Sequence, residues 1–379
     1  MAGNFTKLDN VINGYRLRYK GKSQNIKAKS DKEAGKALAA FVTDIDRGNI
    51  TDISNHKFRE LSDKWLKEYA EINLAASTVY KSKFALNKYI LPALGDTQVD
   101  NITPLALTEY YNSLRRDGIR THGKEGGLSE ETIRTYHKII SGIFDVAIGW
   151  EIYKKRNPCK SVKFPKLKKK PAPFFDDKQL QAVFRALEQE DIEHRTGVTL
   201  AIDSGVRLGE LSGLKWEDIN WDKKTVKIDK ASQYISGKGT FEKDPKTENS
   251  YRSIVLPNST IALLDEYKKS QQAKGFLCAD NNNIFVGYNG KPKYTYWLTS
   301  WFPQFLKRHN LPHLKFHGTR HSHASYLLNS GMNINAVAER IGDTPTVLMN
   351  IYGHAIKKAD KEAADMLDEL HETRNLLDK

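Results

Sequence analysis

Four short stretches of this chain combine residue types that could act on an anionic substrate. In Ser204-Gly205-Val206-Arg207-Leu208-Gly209-Glu210-Leu211 a glycine breaks a helix, and Arg207 and Glu210 then lie three apart on a new helical face. A carboxylate at that spacing can fix the guanidinium fork and leave its other donors for an anion, although such a pair on its own is most often a surface salt bridge. Lys246 sits in the turn-rich Lys243–Ser250 segment, between two alternating stretches that read as strands, Thr225–Asp229 and Ser250–Leu256. A lysine in a turn is ordinarily just solvated. His317 and Arg320 lie three apart at a helix start, where backbone N–H groups and the helix dipole favour an anion. His317, His321 and His323 can alternatively be read as metal ligands, but no acidic or thiol partner sits at ligand spacing, so no metal is expected. Tyr352 follows a capping Thr344 and a first-turn Pro345, and shares a helical face with Leu348. Taken alone, it reads as half-buried core.

The elements that must position these residues fill the largest unit, residues 174–379. An apolar helix runs through Val198 to Ile202 up to the Gly205 break. A second continues from Arg320 through Leu327 to a stop at Ser330-Gly331, with Tyr326 facing a core. Upstream, residues 161–173 form a linker that overlaps a lysine-rich run, Lys160 to Pro171, with six lysines in eleven residues. Such a segment is expected not to pack. Residues 56–160 carry helical periodicity: Trp65, Leu66 and Tyr69, then Val79, Phe84, Leu86 and Ile90. A helix starting at Ser129 carries a stripe of Ile133, Ile140, Phe144 and Ile148. Residues 1–55 make a small α+β module. Tyr15 to Tyr19 alternates like a strand, Lys20 to Ser23 reads as a turn, and Ser30-Asp31-Lys32-Glu33 is a capping box opening a helix to about Arg47. From Lys7 to Lys29 there are seven basic residues against one acid. A solvated sheet face is the plain reading; with tyrosines interleaved among the cations, nucleic-acid contact through Arg16, Arg18, Lys20, Lys22 and Lys27 is the favoured one. Lys166, Lys168 and Lys169 of the linker could lie along phosphates in the same way.

Length and composition agree with this division. At about 150 residues per domain, 379 residues suggest two or three domains. Sixty Lys and Arg against 46 Asp and Glu give a net charge of +14, which points to a polyanionic partner. No apolar run reaches the length of a membrane span, and the N-terminus lacks the basic and apolar blocks of a signal peptide. Two cysteines, Cys159 and Cys278, cannot make a disulfide framework, so reduced thiols and a cytoplasmic setting are expected.

The order and company of the four motifs carry more than each does alone. Arg207, Lys246, His317-x-x-Arg320 and Tyr352, in one basic domain behind two further basic modules, resemble the tyrosine recombinase family, and specifically the integrases of temperate phages and conjugative transposons. The matching stretches are Ser204–Leu211, Pro245–Leu256, His317–Ala324 and Ile351-Tyr352-Gly353-His354. The resemblance implies a multidomain fold, mainly α with small β-sheets: an arm-binding α+β module, a helical SAM-like core-binding domain and a mixed α/β catalytic domain with a C-terminal tail helix. One position departs from the pattern. Family members place His or Trp after the glycine nine residues before the tyrosine, where this chain has Asp343. A carboxylate beside a phosphate costs energy, so Asp343 is expected to point away or to hydrogen-bond the tyrosine helix.

What the resemblance implies chemically is strand exchange through a 3′-phosphotyrosyl link. Tyr352 is the nucleophile, Arg207, Arg320 and His317 stabilise the charge growing on the phosphate, and Lys246 protonates the leaving 5′-oxygen. No cofactor or metal is needed, because the covalent link stores the bond energy. The partners implied are double-stranded DNA at core and arm attachment sites, a homotetramer on synapsed DNA, an excisionase and a host DNA-bending protein, with no membrane. The setting is the cytoplasm and nucleoid of a bacterial host. The tail after the tyrosine, whose last 23 residues carry five basic and seven acidic side chains, is expected to dock on a neighbouring protomer. Two other readings remain: a type IB topoisomerase, whose usual layout lacks the arm module, and a catalytically silent DNA-binding regulator, which the intact Arg-Lys-His-Arg-Tyr set disfavours.

Overall fold

The computed structural model describes residues 3–9, 13–20, 22–46, 56–116, 125–167, 172–243, 251–275, 282–287, 292–349, 364 and 367–368. They fall into two compact units, divided between Lys168 and Lys169.

The first unit opens with an antiparallel sheet of β1 (Asn4–Lys7), β2 (Gly14–Tyr19) and β3 (Lys22–Lys27), in that order. Alternation along β2 buries Tyr15 and Leu17 and turns Arg16 and Arg18 outward. Thr6, Arg16 and Asn25 lie side by side across the three strands, and Arg16 Nε donates to Asn25 Oδ1 at 2.9 Å. The turn is shorter than the expected Lys20 to Ser23, because Tyr19 already pairs with Lys22. Lys20 makes this possible by adopting φ +46°. Helix α1 (Asp31–Asp46) starts with Ser30 Oγ accepting from Glu33 N at 3.3 Å, while the Glu33 carboxylate reaches past Ser30 to Lys29 N at 2.7 Å.

The helical part contains α2 (Phe58–Trp65), α3 (Ala76–Ala85), α4 (Pro104–Leu114) and α5 (Glu130–Gly149) around Phe58, Leu86, Ile90, Leu107, Tyr111, Ile133, Ile140 and Phe144. Ser129 caps α5 as its sequence requires, accepting from Thr132 N. Two members of the expected stripes face outward: Phe84 is 53% exposed and Ile148 37%. On α3 the buried row is Val79, Ser82 and Ala85, leading into a wide helical turn over Leu86–Ile90, and Phe84 falls beside that row. On α5 the stripe drifts to Ala147, leaving Ile148 at its edge. The lysine-rich run also differs from expectation, since its first half packs. Val162 and Phe164 rest on the helical core; Phe164 lies 4.9 Å from the His137 ring and under the Arg134 guanidinium, whose Nη2 donates to Pro165 O at 2.6 Å. The reason is period-two alternation: apolar side chains at 162 and 164 point in while Lys163 points out. Lys166 is exposed; Lys168 and Lys169 lie outside the described residues.

The second unit holds α6 (Asp177–Leu187), α7 (Ile192–Ser204), α8 (Leu208–Gly213), a sheet of β4 (Ile219–Asn220), β5 (Thr225–Ile228) and β8 (Arg252–Val255), then α9 (Asn258–Ala273), α10 (Trp297–Arg308), α11 (Gly318–Asn329) and α12 (Ile334–Ile341). Between β5 and β8, where one turn-rich segment was expected, the chain inserts a second hairpin, β6 (Ala231–Ile235) with β7 (Gly239–Lys243). Gly237 and Gly239 carry it around at φ +85° and +80°. Lys246 follows this hairpin and lies outside the described residues. The main core gathers Val198, Leu200, Leu211, Leu264, Phe285, Phe302 and Phe305. A smaller cluster of Ala324, Val337, Ala338, Ile341 and Leu348 joins α11 and α12 to the helical turn that starts at Pro345. Tyr326, expected to face a core, is 47% exposed, because the buried face of α11 runs through Thr319, Arg320, Ser322 and His323. No described helix is long and apolar enough to cross a membrane.

Candidate active site

Three chain breaks bring the charged residues together. The first is Gly205, which ends α7 at φ +64° and frees its carbonyl to point at Arg320 Nη1, 2.7 Å away. A Cβ at Gly205 would lie 2.5 Å from the His323 ring, so the turn needs glycine for space as well as conformation. Arg207 then occupies the N-cap of α8. Its own N–H donates to Glu210 Oε2 at 3.0 Å, and its Nη1 donates to Glu210 Oε1 at 3.0 Å. The carboxylate therefore does what the i,i+3 spacing suggested, fixing the guanidinium. Yet it is no surface bridge: the Glu210 side chain is 5% exposed and also accepts from Arg252 Nη2 at 2.8 Å.

The second break is the turn into α11, which starts at Gly318. Arg320 lies on its buried face with 4% of its side chain exposed. His317 stands just before the helix with one side open to solvent, its ring 4.9 Å from that of His321 in a T-shaped contact. Desolvation by its neighbours, then the charges of Arg320 and Arg207, push the His317 pKa below the ordinary value, with Asp343 opposing. Burial, then the neighbouring His317 and Arg320, bring His321 down to about 4. His323 is brought down to about 3 by burial and Arg340, and it accepts from Arg340 Nε at 3.2 Å. His321 and His323 are thus neutral near pH 7, and His317 is biased towards its neutral form. Among the described residues, no group of three or more His, Cys, Asp or Glu could hold a metal ion.

The third break is Gly342. At φ +68° it closes α12 with Asp343 N bonded back to Ala338 O at 2.9 Å. The turn aims a row of acceptors at the two arginines. Ile341 O accepts from Arg320 Nη1 at 2.6 Å, and Gly342 O accepts from Arg207 Nη2 at 2.9 Å. Asp343 closes the row: Oδ1 accepts from Arg207 Nη2 at 3.0 Å and Oδ2 from Arg320 Nη2 at 2.5 Å. The expectation that Asp343 points away or bonds the tyrosine helix is therefore replaced by a bridge between the arginines. Thr344 caps the next helical turn, with Val347 N donating to its Oγ1 at 3.4 Å, and Leu348 is buried. Tyr352 and His354 lie outside the described residues.

Of the expected site, Arg207, His317, Arg320 and Asp343 converge, drawn from three separate elements. Sequence reasoning missed a supporting tier. Arg252 Nε donates to Arg340 O at 2.8 Å, and Arg340 Nη2 donates to Asp203 O and Val255 O, both at 3.0 Å. These contacts tie β8, α7 and α12 around the arginine pair. A signal existed: Arg252 is in phase with Ile254 and Leu256, the inward positions of an alternating strand.

In the N-terminal module, Arg16, Arg18 and Lys27 are at least partly exposed. Lys20 is also exposed and pairs with Asp46 at 2.7 Å, an acceptor shared with the Tyr19 hydroxyl. The side chain of Lys22 lies outside the described residues.

Comparison with known proteins agrees with this architecture. The model of the phage integrase family matches residues 173–359, and that of the phage integrase N-terminal SAM-like domain matches residues 57–115. The ICEBs1 integrase of Bacillus subtilis is 28% identical over 305 residues, 79% of this chain and 80% of its own length. A XerC-like tyrosine recombinase of Caldanaerobacter subterraneus is 27% identical over 365 residues, 90% of each chain. Among solved structures, the Tn1549 transposon integrase in complex with circular intermediate DNA superposes with a TM-score of 0.69 at 20% identity, over 82% of this chain and all of that one. A helical SAM-like domain followed by a catalytic unit of this kind defines a site-specific DNA recombinase. The chain belongs to the phage integrase family of tyrosine recombinases.

Proposed function

We propose that this integrase cleaves and rejoins attachment-site DNA through Tyr352, with Arg207, Arg320 and His317 as the anion-stabilising set and Lys246 as the acid for the leaving 5′-oxygen. One observation carries the reading: two guanidinium groups and an imidazole with a lowered pKa, from two segments far apart in sequence, converge on one site, the guanidinium groups held there by carbonyls and carboxylates. A phosphodiester under attack gathers charge on its non-bridging oxygens, and preorganised forks are suited to receive it. In its neutral form His317 can donate one further hydrogen bond without competing for the charge.

Because these donors supply the charge stabilisation, cleavage is expected to be independent of divalent metal. A nicked core-site duplex, which prevents religation, should trap a covalent protein–DNA adduct in EDTA as readily as in magnesium. Adduct formation that vanishes in EDTA and returns with a divalent ion would revive the histidines as ligands and remove this reading.

The N-terminal sheet supports a separate arm-site module. Its outward row of Arg16 and Arg18, flanked by Thr6 and Asn25, offers phosphate and base-edge donors on a face distinct from the buried Tyr15 and Leu17. Deleting residues 1–55 should spare core-site cleavage while abolishing arm-site binding and efficient integration. A truncated chain that shifts arm-type duplex as tightly as the full one contradicts the assignment. Assembly as a homotetramer on synapsed DNA, working with an excisionase and a DNA-bending host protein, completes the reading.

A further inference from the structure

We propose that the Asp343 carboxylate is the resident anion of the phosphate seat: it bridges Arg207 and Arg320 in the free enzyme and is displaced when a DNA phosphate enters. The inference rests on the recombinase reading for the identity of the incoming phosphate, but its geometry stands by itself. Each carboxylate oxygen takes one guanidinium, Oδ1 from Arg207 and Oδ2 from Arg320. Two oxygens on one centre spanning two forks is how the non-bridging oxygens of a phosphodiester would sit. Access points the same way. Arg207 leaves 36% of its side chain open, whereas Arg320 leaves 4%, and the group lying over it is Asp343, itself 26% exposed. A phosphate oxygen reaches Arg320 only once that carboxylate has moved.

The displaced side chain has somewhere to go. Asp343 lines a cleft of about 660 Å³ between β8 and α12, together with Arg252, Ser253, Asn335 and Arg340. Arg252 and Arg340 supply positive charge there, with Glu339 as the opposing acid, so the carboxylate exchanges one set of positive neighbours for another. Meanwhile Ile341 O, Gly342 O and Glu210 remain on the arginines and keep the forks in place. While no DNA is bound, the bridge offsets the repulsion between two adjacent guanidinium ions, one of them almost fully desolvated. The enzyme thus keeps the pair aligned and shielded from stray anions, and a phosphate delivered by a whole DNA site displaces the bridge.

The test uses inorganic phosphate and the full chain, with thermal unfolding as the readout, so that it does not depend on DNA cleavage. Asp343→Ala and the closer-sized Asp343→Asn should unfold at lower temperature than wild type in chloride. Millimolar phosphate at matched ionic strength should restore much of the loss, because it refills the seat. Phosphate affinity should rise by roughly tenfold or more over wild type, the scale of a charge-assisted hydrogen-bond pair. Adding Arg207→Ala to Asp343→Asn should remove the phosphate response. On core-site duplex, Asp343→Asn should reach half-maximal adduct formation at a several-fold lower DNA concentration. Variants that gain no phosphate response, or that fail to fold in either medium, overturn the proposal and leave Asp343 a purely structural brace. So does a wild-type chain that phosphate stabilises as strongly. If no chain forms an adduct yet the phosphate rescue is seen, the recombination chemistry fails and the resident-anion assignment stands.

Discussion

Tyr352→Phe is expected to bind core-site duplex with near-normal affinity and to form no covalent adduct. Removing one hydroxyl leaves the phosphate contacts and the fold untouched, and those set the affinity. It removes the only atom of that side chain that can attack phosphorus. A phenol, with a reference pKa of about 10, must shed its proton during attack, so a nucleophilic tyrosine depends on cationic surroundings. The described chain up to Met349 runs beside that site. Asp343 is bonded to both arginines, Thr344 caps a new helical turn, and buried Leu348 anchors that turn against Ala338 and Ile341. Tyr352 follows Leu348 by four residues in sequence. The exposed Tyr326, on the same helix as Arg320, is the natural control: Tyr326→Phe should still form the adduct. Peptide mapping of a trapped wild-type complex should place the phosphate on Tyr352. An adduct that persists in Tyr352→Phe, or one that disappears in Tyr326→Phe, would falsify the nucleophile assignment.

What could be read in the chain, and what could not, follows from the range of the interactions involved. Local signals were legible: the Gly205 break, the Ser129 and Thr344 caps, the alternation of Tyr15 to Tyr19, and the i,i+3 fixing of Arg207 by Glu210 all depend on neighbours within one turn or one strand. Interactions across the chain were not. Spacing places Glu210 beside Arg207 but says nothing of Arg252, 42 residues away, which makes Glu210 one half of a buried ion pair. Asp343 departs from its sequence expectation for the same reason. Considered alone beside a phosphate, a carboxylate is unfavourable; beside two guanidinium groups that have no phosphate yet, it is favourable. The Phe164 error was of another kind. Six lysines outweighed two apolar residues in a composition argument, whereas packing depends on which face each residue takes.

Glu210→Gln should be among the most damaging changes away from the nucleophile, in stability and in cleavage together. Glu210 is shared between Arg207 and Arg252, and both it and Arg252 leave only 5% of their side chains exposed. Burial pushes its pKa up, but the hydrogen bond and charge of Arg252, the Arg207 backbone N–H and the Arg207 charge together outweigh that and hold it below the ordinary 4.5. A folded-state pKa below the unfolded one means the pair stabilises the protein fully above about pH 4.5, and that stabilisation is lost as pH falls through the lower, folded value. Gln matches Glu in shape yet leaves two guanidinium groups facing a neutral amide. Losing one partner of a buried ion pair costs about 3–5 kcal/mol, and the retained amide oxygen places this variant near about 3 kcal/mol. Urea unfolding at pH 7 measures the loss; as pH falls below about 4.5 the gap between wild type and variant should narrow, because the unfolded chain then takes up the proton that folded Glu210 resists. Arg207, released from its clamp, should stabilise the growing phosphate charge poorly, so adduct formation should fall even in protein shown to be folded. A loss below about 1 kcal/mol, the scale of an exposed salt bridge, with normal cleavage would mean that Arg207 is held by the Ile341–Asp343 turn alone.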